Sequence, residues 1–226
     1  MSSLASDSVS DLVNSPGRAL PRVTLFDYGA GNLHSLAKAL ERAGAAVRVE
    51  TEAAAAVRDT DALVLPGVGA FAAACERLEP GREAMRSALV AGLPALGICL
   101  GMQLLFEASD EGPGLGLGLV PGRVTRIRAR RVPQIGWNTV EPADPARPDP
   151  LLAASLLDTA YYANSFVCRP AGAEAEGAVT AWSEHEGDRF PAAVRAKNVV
   201  GVQFHPEKSS APGVAMVAAW VRSLAP

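Results

Sequence analysis

The sequence is poor in several features, and each absence excludes a class of protein. Its three cysteines, Cys75, Cys99 and Cys168, are too few and too scattered among 226 residues for a disulfide framework, which favours a reducing, cytoplasmic location. The net charge of −3 offers no basic field for a nucleic acid or for a membrane surface. No apolar run approaches the roughly 20 residues that a helix needs to span a bilayer.

Patterns that bind metals or nucleotides are missing as well. No C-x-x-C, H-E-x-x-H or H-x-H spacing occurs, so we expect no metal site. The stretch YGAGNLH imitates a dinucleotide-binding fingerprint, but His34 stands where the third glycine would be. We therefore expect the protein to use no cofactor.

Residues 1–20 differ in composition from the rest of the chain. The stretch MSSLASDSVSDLVNSPGRAL is rich in serine and lacks the basic and apolar regions of a signal peptide. We expect it to form a mobile extension. Because no repeat or linker follows, residues 21–226 are expected to form a single domain.

Short apolar segments alternate with helical patterns in the first half of the chain. The segments RVTLFDYG, AVRVE, DALVLPG and PALGIC predict buried strands, and NLHSLAKALERAGA, residues 71–91 and LGMQLLFEAS predict helices between and after them. This alternation predicts an α/β fold with an open, mostly parallel central sheet flanked by helices. Beyond the glycine-rich loop EGPGLGLGLVPG, strands separated by turns predict additional antiparallel strands, and a last helix runs from about residue 214 to 224.

Cys99 lies at the junction of a predicted strand and a predicted helix. The pattern Gly97-Ile98-Cys99-Leu100-Gly101 is that of a nucleophile elbow with cysteine as the nucleophile, since the sharp turn needs small residues on both sides. The helix N-terminus would favour a thiolate, and the Leu100 amide could hold an oxyanion. The alternative is a buried structural cysteine, which is our interpretation of Cys75 and Cys168.

A thiolate nucleophile needs an imidazole nearby, and His205 is the best candidate of three histidines. It ends the apolar strand VVGVQF, whereas His34 lies in a helix and His185 in a polar turn. Glu207, two residues on, can reach one ring nitrogen and leave the other for the thiol. Taken alone, an H-P-E triplet is more often a surface turn.

From about residue 22 to the C-terminus the chain resembles the class I (triad) glutamine amidotransferases. The segments GICLGMQLLFE, PGVGAF and QFHPEKS carry the resemblance. It implies that Cys99 attacks the side-chain amide of glutamine, with His205 as base and then acid and Glu207 orienting His205. The implied products are glutamate and ammonia.

The resemblance also implies the residues around this triad. It places the oxyanion hole at the Leu100 amide and at an amide of Val68 or Gly69, and the substrate contacts at Gly67, Gln103, Glu111, Ser165 and Phe166. Family members often carry histidine before the serine or threonine of that last strand, where this chain has Asn164. The alternatives are a solvated position for Gln103 and a simple turn at Gly67 and Gly69.

The segments DYGAGNLHS and PQIGWN are similar to those members of the family that supply ammonia for histidine biosynthesis. The resemblance implies a heterodimer with a cyclase subunit built as a (β/α)₈ barrel, and places Asn32, Trp137 and Asn138 at the interface. Trp137 could instead be a core aromatic residue. Three arginines of RIRARRVPQ could line the same face or only solvate a strand edge: Arg128, Arg130 and Arg131.

Three other functions remain open at this point. The chain could be another triad amidotransferase subunit, although DYGAGN and PQIGWN argue against it. It could be a stand-alone cysteine hydrolase of the γ-glutamyl type, which needs no partner. A non-catalytic binding protein with this fold is disfavoured by the presence of Cys99, His205 and Glu207 together.

Overall fold

The structure, a computed structural model, describes residues 19–29 and 33–224. Its strands are β1 (Arg22–Phe26), β2 (Ala46–Glu50), β3 (Ala62–Leu65), β4 (Ala95–Ile98), β5 (Ala108–Ser109), β6 (Gly122–Arg126), β7 (Gln134–Thr139), β8 (Glu141–Pro142), β9 (Thr159–Asn164), β10 (Phe166–Pro170), β11 (Val179–His185), β12 (Asp188–Ala196) and β13 (Val199–Val202). Its α-helices are α1 (Leu33–Arg42), α2 (Ala53–Ala56), α3 (Phe71–Leu78), α4 (Arg82–Val90), α5 (Leu100–Gln103), α6 (Pro150–Ser155), α7 (Ala173–Gly177) and α8 (Ser210–Ser223). Most of the expected extension at residues 1–20 lies outside the described ranges.

An eight-stranded sheet forms the centre of the molecule, in the order β2-β1-β3-β4-β13-β12-β11-β8. The first four of these strands and β13 are parallel, and β12, β11 and β8 continue the sheet as antiparallel strands. Strands β10, β6 and β5 form a second sheet, and β7 pairs with β9 in a third. The predicted α/β fold, with antiparallel strands added by the second half, is confirmed.

The core lies on both faces of the large sheet. Alternate residues of the parallel strands enter opposite clusters, because side chains along a strand point to opposite faces: Val64 joins one cluster, and Leu63 and Leu65 join the other. Helices α1 and α8 cover the first face, where Trp220 is 2% exposed, and α3 and α4 cover the second. None of the helices within residues 19–29 and 33–224 is long and apolar enough to cross a membrane.

The helix that we predicted over LGMQLLFEAS is wrong in its length, because α5 ends at Gln103. The carbonyls of Leu104, Leu105 and Phe106 accept hydrogen bonds from amides of the glycine-rich loop instead of continuing a helix. A side chain on Gly116 would overlap the Phe106 carbonyl oxygen, so glycine is needed where the loop lies against this backbone. Tertiary hydrogen bonds therefore override a good local helical pattern.

Candidate active site

The elbow at Cys99 has the geometry that its sequence predicts. Cys99 follows β4 with φ 50° and ψ −104°, a strained conformation for a residue that carries a side chain. A side chain on Gly101 would overlap the Leu65 carbonyl oxygen, and a Cβ on Gly97 would lie 2.7 Å from the Gly101 carbonyl oxygen. The two flanking glycines thus let the turn pack against β3 and against itself. Because α5 has only four residues, its dipole adds less than a full helix would.

His205 reaches the cysteine because β13 inserts beside β4. Val202 pairs with Ile98 in parallel register, and the Cys99 amide donates to the Val202 carbonyl at 2.7 Å. The next residues of both strands therefore leave the sheet at the same edge, where parallel α/β sheets bind ligands. This pairing joins segments more than 100 residues apart, which no local pattern encodes.

Glu207 orients the buried imidazole of His205. The ring is 1% exposed, and its Nδ1 lies 3.0 Å from Glu207 Oε1. Residues Pro206–Lys208 form a 3₁₀ turn, and this turn brings the carboxylate to the ring. Among the described residues, Nε2 has no partner of ordinary hydrogen-bond geometry, which leaves it available for proton transfer.

Two neighbouring groups, the Cys99 sulfur and the Glu207 carboxylate, affect the pKa of His205. Burial disfavours the charged ring, but interaction with the Cys99 sulfur and the hydrogen bond with Glu207 outweigh this and raise the pKa of His205 to about 9. The imidazole therefore carries a proton at neutral pH. Burial raises the pKa of Cys75 to about 11 and that of Cys168 well above its usual value, which disfavours a thiolate at either position.

The loop after β3 passes over the elbow. A Cβ on Gly67 would lie 2.9 Å from the Ile98 carbonyl oxygen and 3.2 Å from His205 Cε1, so the loop lies against the His205 ring and against the residue that precedes Cys99. Gly69 has φ +140°, and a Cβ there would contact the Leu100 side chain at 3.4 Å. Val68 lies between them and is half-buried. The amides of this loop and of Leu100 thus belong to one small region.

Gln103 lies inside the site rather than in solvent. It is 5% exposed, and its Nε2 donates to the Phe166 carbonyl at 3.1 Å and to Gln203 Oε1 at 3.4 Å. Both hydrogens of this amide are engaged, so only its oxygen, an acceptor, can meet a ligand. An acceptor suits the ammonium group of an amino acid, not its carboxylate.

The strand residues predicted to contact substrate are also tied to the site. The Phe166 carbonyl accepts from Gln103 and from Asn164 Nδ2, each at 3.1 Å, while the Ser165 carbonyl accepts from the Ile127 amide at 2.9 Å. Asn164 therefore holds the backbone of this segment. At the position where the resemblance implies histidine, this side chain still supports the strand.

Glu111 approaches the site from the glycine-rich loop. Its Oε2 accepts from the Phe71 amide at 2.9 Å, at the start of α3. This contact ties the loop to the segment that follows Gly69, and it occupies one of the two carboxylate oxygens.

Of the three predicted interface residues, Trp137 is the most exposed in the described structure. Asn32 lies outside the described residues. Trp137 is 55% exposed and contacts Tyr161 edge to face at 6.3 Å between centroids, so it is not a core aromatic residue. Asn138 donates from Nδ2 to the Glu184 carbonyl at 2.8 Å and so ties β7 to β11.

Sequence reasoning missed Gln203 and the exposed apolar residue Ile135. Gln203 is 0% exposed, and its Nε2 lies 3.4 Å from the Cys99 sulfur. The only signal in the sequence was an amide inside the otherwise apolar strand VVGVQF. Ile135 lies beside Trp137 on β7 and is 68% exposed. Its position in a predicted strand gave no sign of this exposure.

Comparison with known proteins identifies the class. The model of the family described as glutamine amidotransferase class-I matches residues 24–222. Two solved structures share the fold: one described as a glutamine amidotransferase (TM-score 0.65, 22% identity, 87% of this chain and 98% of that chain) and PurLQS from Thermotoga maritima (TM-score 0.65, 18% identity, 91% and 100%). The chain is a class I glutamine amidotransferase, an enzyme with a glutaminase site.

Relatives with higher sequence identity show which family within this class the chain belongs to. The imidazole glycerol phosphate synthase subunit HisH of Deinococcus radiodurans is 47% identical over 219 residues, covering 93% of this chain and 98% of its own. A HisH subunit of Thermus thermophilus is 44% identical over 204 residues, covering 87% and 95%. The chain belongs to the HisH family, the glutaminase subunits of imidazole glycerol phosphate synthase in histidine biosynthesis.

Proposed function

We propose that Cys99, His205 and Glu207 hydrolyse glutamine and that the ammonia passes to a cyclase subunit. The observation that carries the proposal is the parallel pairing of β13 with β4, which brings the imidazole of His205 to the sulfur of Cys99. The Cys99 thiolate attacks the side-chain carbonyl carbon of glutamine, and amides of Leu100 and of Val68 or Gly69 stabilise the oxyanion.

The imidazolium of His205 then supplies the proton that the leaving group needs. Nε2 protonates the departing nitrogen, the carbon–nitrogen bond breaks, and a glutamyl thioester and ammonia form. Neutral His205 next deprotonates a water molecule, whose oxygen attacks the thioester and releases glutamate and the thiolate. Glu207 stabilises the charged ring in both steps.

We infer the substrate contacts from polar groups of the site whose hydrogen-bonding capacity is not used within the protein. The Gln103 amide oxygen and the free carboxylate oxygen of Glu111 are acceptors suited to the α-ammonium group of glutamine. Backbone groups of Ser165 and Phe166 and the close approach of the loop at Gly67 complete the pocket that we propose. This assignment rests on matching positions in the family and on the contacts given above.

The chemistry of ammonia requires a partner. In bulk water at neutral pH most ammonia is protonated, and ammonium has no lone pair with which to attack an electrophile. The exposed Trp137 and Ile135 supply an apolar surface close to His205, because the Tyr161 carbonyl accepts from the His205 amide at 2.8 Å while the Tyr161 ring contacts Trp137. Lys208 Nζ lies 5.9 Å from the same ring.

We therefore propose that this surface, formed by Ile135, Trp137, Tyr161 and Lys208, docks on the cyclase barrel. The products of the complex would be imidazole glycerol phosphate and an aminoimidazole carboxamide ribotide. The three cysteines are free thiols, which suits the reducing cytoplasm that we propose as the compartment.

Assembly with the cyclase tests the partner. We expect the purified chain to bind the cyclase subunit and its glutaminase rate to rise strongly when cyclase and nucleotide are added. Trp137→Ala should weaken binding by on the order of tenfold or more, measured by titration calorimetry, because a large apolar anchor is lost. Leu156→Ala, which alters an exposed apolar residue elsewhere, is the matched control. Equal glutaminase rates with and without cyclase would favour a stand-alone hydrolase.

The pH dependence tests the proton on His205. We expect kcat/KM for glutamine to fall as the pH rises through about 9, where the ring loses the proton that the leaving ammonia needs. Above that pH the decline should be about tenfold per pH unit. A rate that instead rises through pH 6.5, the ordinary pKa of histidine, and stays level to high pH would mean that the ring starts as a neutral base.

A further inference from the structure

We propose that Gln203 is a positioning residue for the nucleophile, an inference that rests on the proposed function of Cys99. Its Nε2 donates to the Cys99 sulfur at 3.4 Å. Because Gln203 follows β13 directly, the pairing of β13 with β4 brings this amide to the elbow. No role in the reaction described above requires it.

Neighbouring contacts determine which end of the Gln203 amide faces the sulfur. Its Oε1 accepts from Gln103 Nε2 at 3.4 Å, and Gln103 Nε2 also donates to the Phe166 carbonyl at 3.1 Å. Turning the Gln203 amide over would set two NH₂ groups against each other and an oxygen against the sulfur. These hydrogen bonds form a relay from Phe166 through Gln103 to Gln203, and the relay directs an N–H group of Gln203 toward the Cys99 sulfur.

Gln203 is a polar residue in a fully buried position, so its side chain needs hydrogen-bond partners there. The residue is 0% exposed and lies in a segment that is otherwise apolar, where a hydrophobic side chain would pack without needing partners. Its backbone amide donates to the Ala192 carbonyl at 2.9 Å, so the strand is held whatever the side chain is. The amide side chain therefore serves its two contacts, the Cys99 sulfur and Gln103.

A donor at this place acts on the charged form of sulfur. A hydrogen bond to an anion is stronger than one to a neutral acceptor, so Gln203 stabilises the thiolate before attack and again when the thioester breaks down. It also fixes the direction of the sulfur. Since Gln103 belongs to both this relay and the substrate pocket, the relay connects the strand that holds glutamine to the nucleophile.

Alkylation of Cys99 measures this effect without glutamine. We would follow the rate of carbamidomethylation at Cys99 by iodoacetamide between pH 5 and 9, using peptide mapping by mass spectrometry. Gln203→Met keeps the length of the side chain and removes the donor. We expect the rate on the acid side of the profile, where only a small fraction of the sulfur is thiolate, to fall by about tenfold.

Gln134→Leu is the matched control, because it removes another buried amide, and in the described structure the amide that donates to the sulfur is that of Gln203. Its alkylation profile should coincide with that of the unaltered protein. In steady-state assays Gln203→Met should lower kcat with little change in KM, whereas Gln103→Leu should raise KM. A profile for Gln203→Met that matches the unaltered protein, or an equal shift in Gln134→Leu, would overturn the inference.

A measurement on the unaltered protein covers the case in which Gln203→Met does not fold. The side-chain NH₂ signals of Gln203 in a ¹⁵N–¹H NMR spectrum should shift on alkylation of Cys99, and no shift would overturn the proposal. The two hypotheses fail in different ways. If hydrolysis does not need Cys99, the proposed function fails while alkylation still reports on Gln203; if hydrolysis needs Cys99 but the profiles coincide, only the role of Gln203 fails.

Discussion

Replacing Cys99 with alanine is expected to lower the rate of glutamine hydrolysis by on the order of 10⁴-fold or more, since the attacking atom is removed. The substitution leaves the elbow otherwise intact, because the positive φ of this residue strains alanine as it strains cysteine. With the cyclase present, synthesis from added ammonium salts should persist. Coupled assays with glutamine and with ammonium chloride as alternative nitrogen sources measure both effects.

The matched control for that experiment is Cys75→Ala. This cysteine is buried in the core of the second face, so its loss should cost stability and leave hydrolysis unchanged. Retained use of glutamine by Cys99→Ala would exclude the sulfur as the nucleophile. Loss of the ammonium-dependent reaction would show that the variant damages the complex and not the chemistry alone.

Replacing His205 with glutamine should lower hydrolysis by about 10²- to 10⁴-fold, the range in which a general acid and base contributes. The leaving nitrogen would depart without a proton, and the water molecule would attack the thioester without a base. The part of the fall above pH 9 that comes from His205 should disappear as well, leaving only the loss of the proton on the substrate's own α-ammonium group. Stopped assays of glutamate release across this pH range measure both consequences.

Glu207→Gln serves as the graded comparison, because it keeps a hydrogen-bond partner for Nδ1 and removes the charge. We expect a smaller loss of activity than in the histidine variant and an alkaline limb shifted to lower pH, since one cause of the raised pKa of His205 is removed. A histidine variant that hydrolyses glutamine at the unaltered rate would mean that another residue moves the proton.

The elbow was predictable because its determinants are local. Glycines two positions on either side of Cys99, between an apolar strand and a helical pattern, encode the turn in five residues. The contact between His205 and Glu207 was predictable for the same reason. The approach of His205 to Cys99 was only a hypothesis, because it depends on β13 pairing with β4 across more than 100 residues.

What sequence reasoning missed depends on long-range contacts. The helix after Cys99 is short because amides of residues 116–120 bind carbonyls that a longer helix would use. Helix α6 was also not predicted: Asp149 begins it by accepting from the Leu151 amide, and Arg195 from a distant strand holds the same carboxylate. Gln203 was overlooked because an amide in an apolar strand gives no indication of its partner.

Labelling with an electrophilic analogue of glutamine tests the central claim most directly. The intact protein would be treated with 6-diazo-5-oxo-norleucine and then digested. The modified residue would be mapped by mass spectrometry. The account predicts one adduct on the Cys99 sulfur, formed more slowly when glutamine competes and not formed in His205→Gln at a comparable rate. An adduct on Cys75, on Cys168 or on another residue, with Cys99 left unmodified, would contradict it.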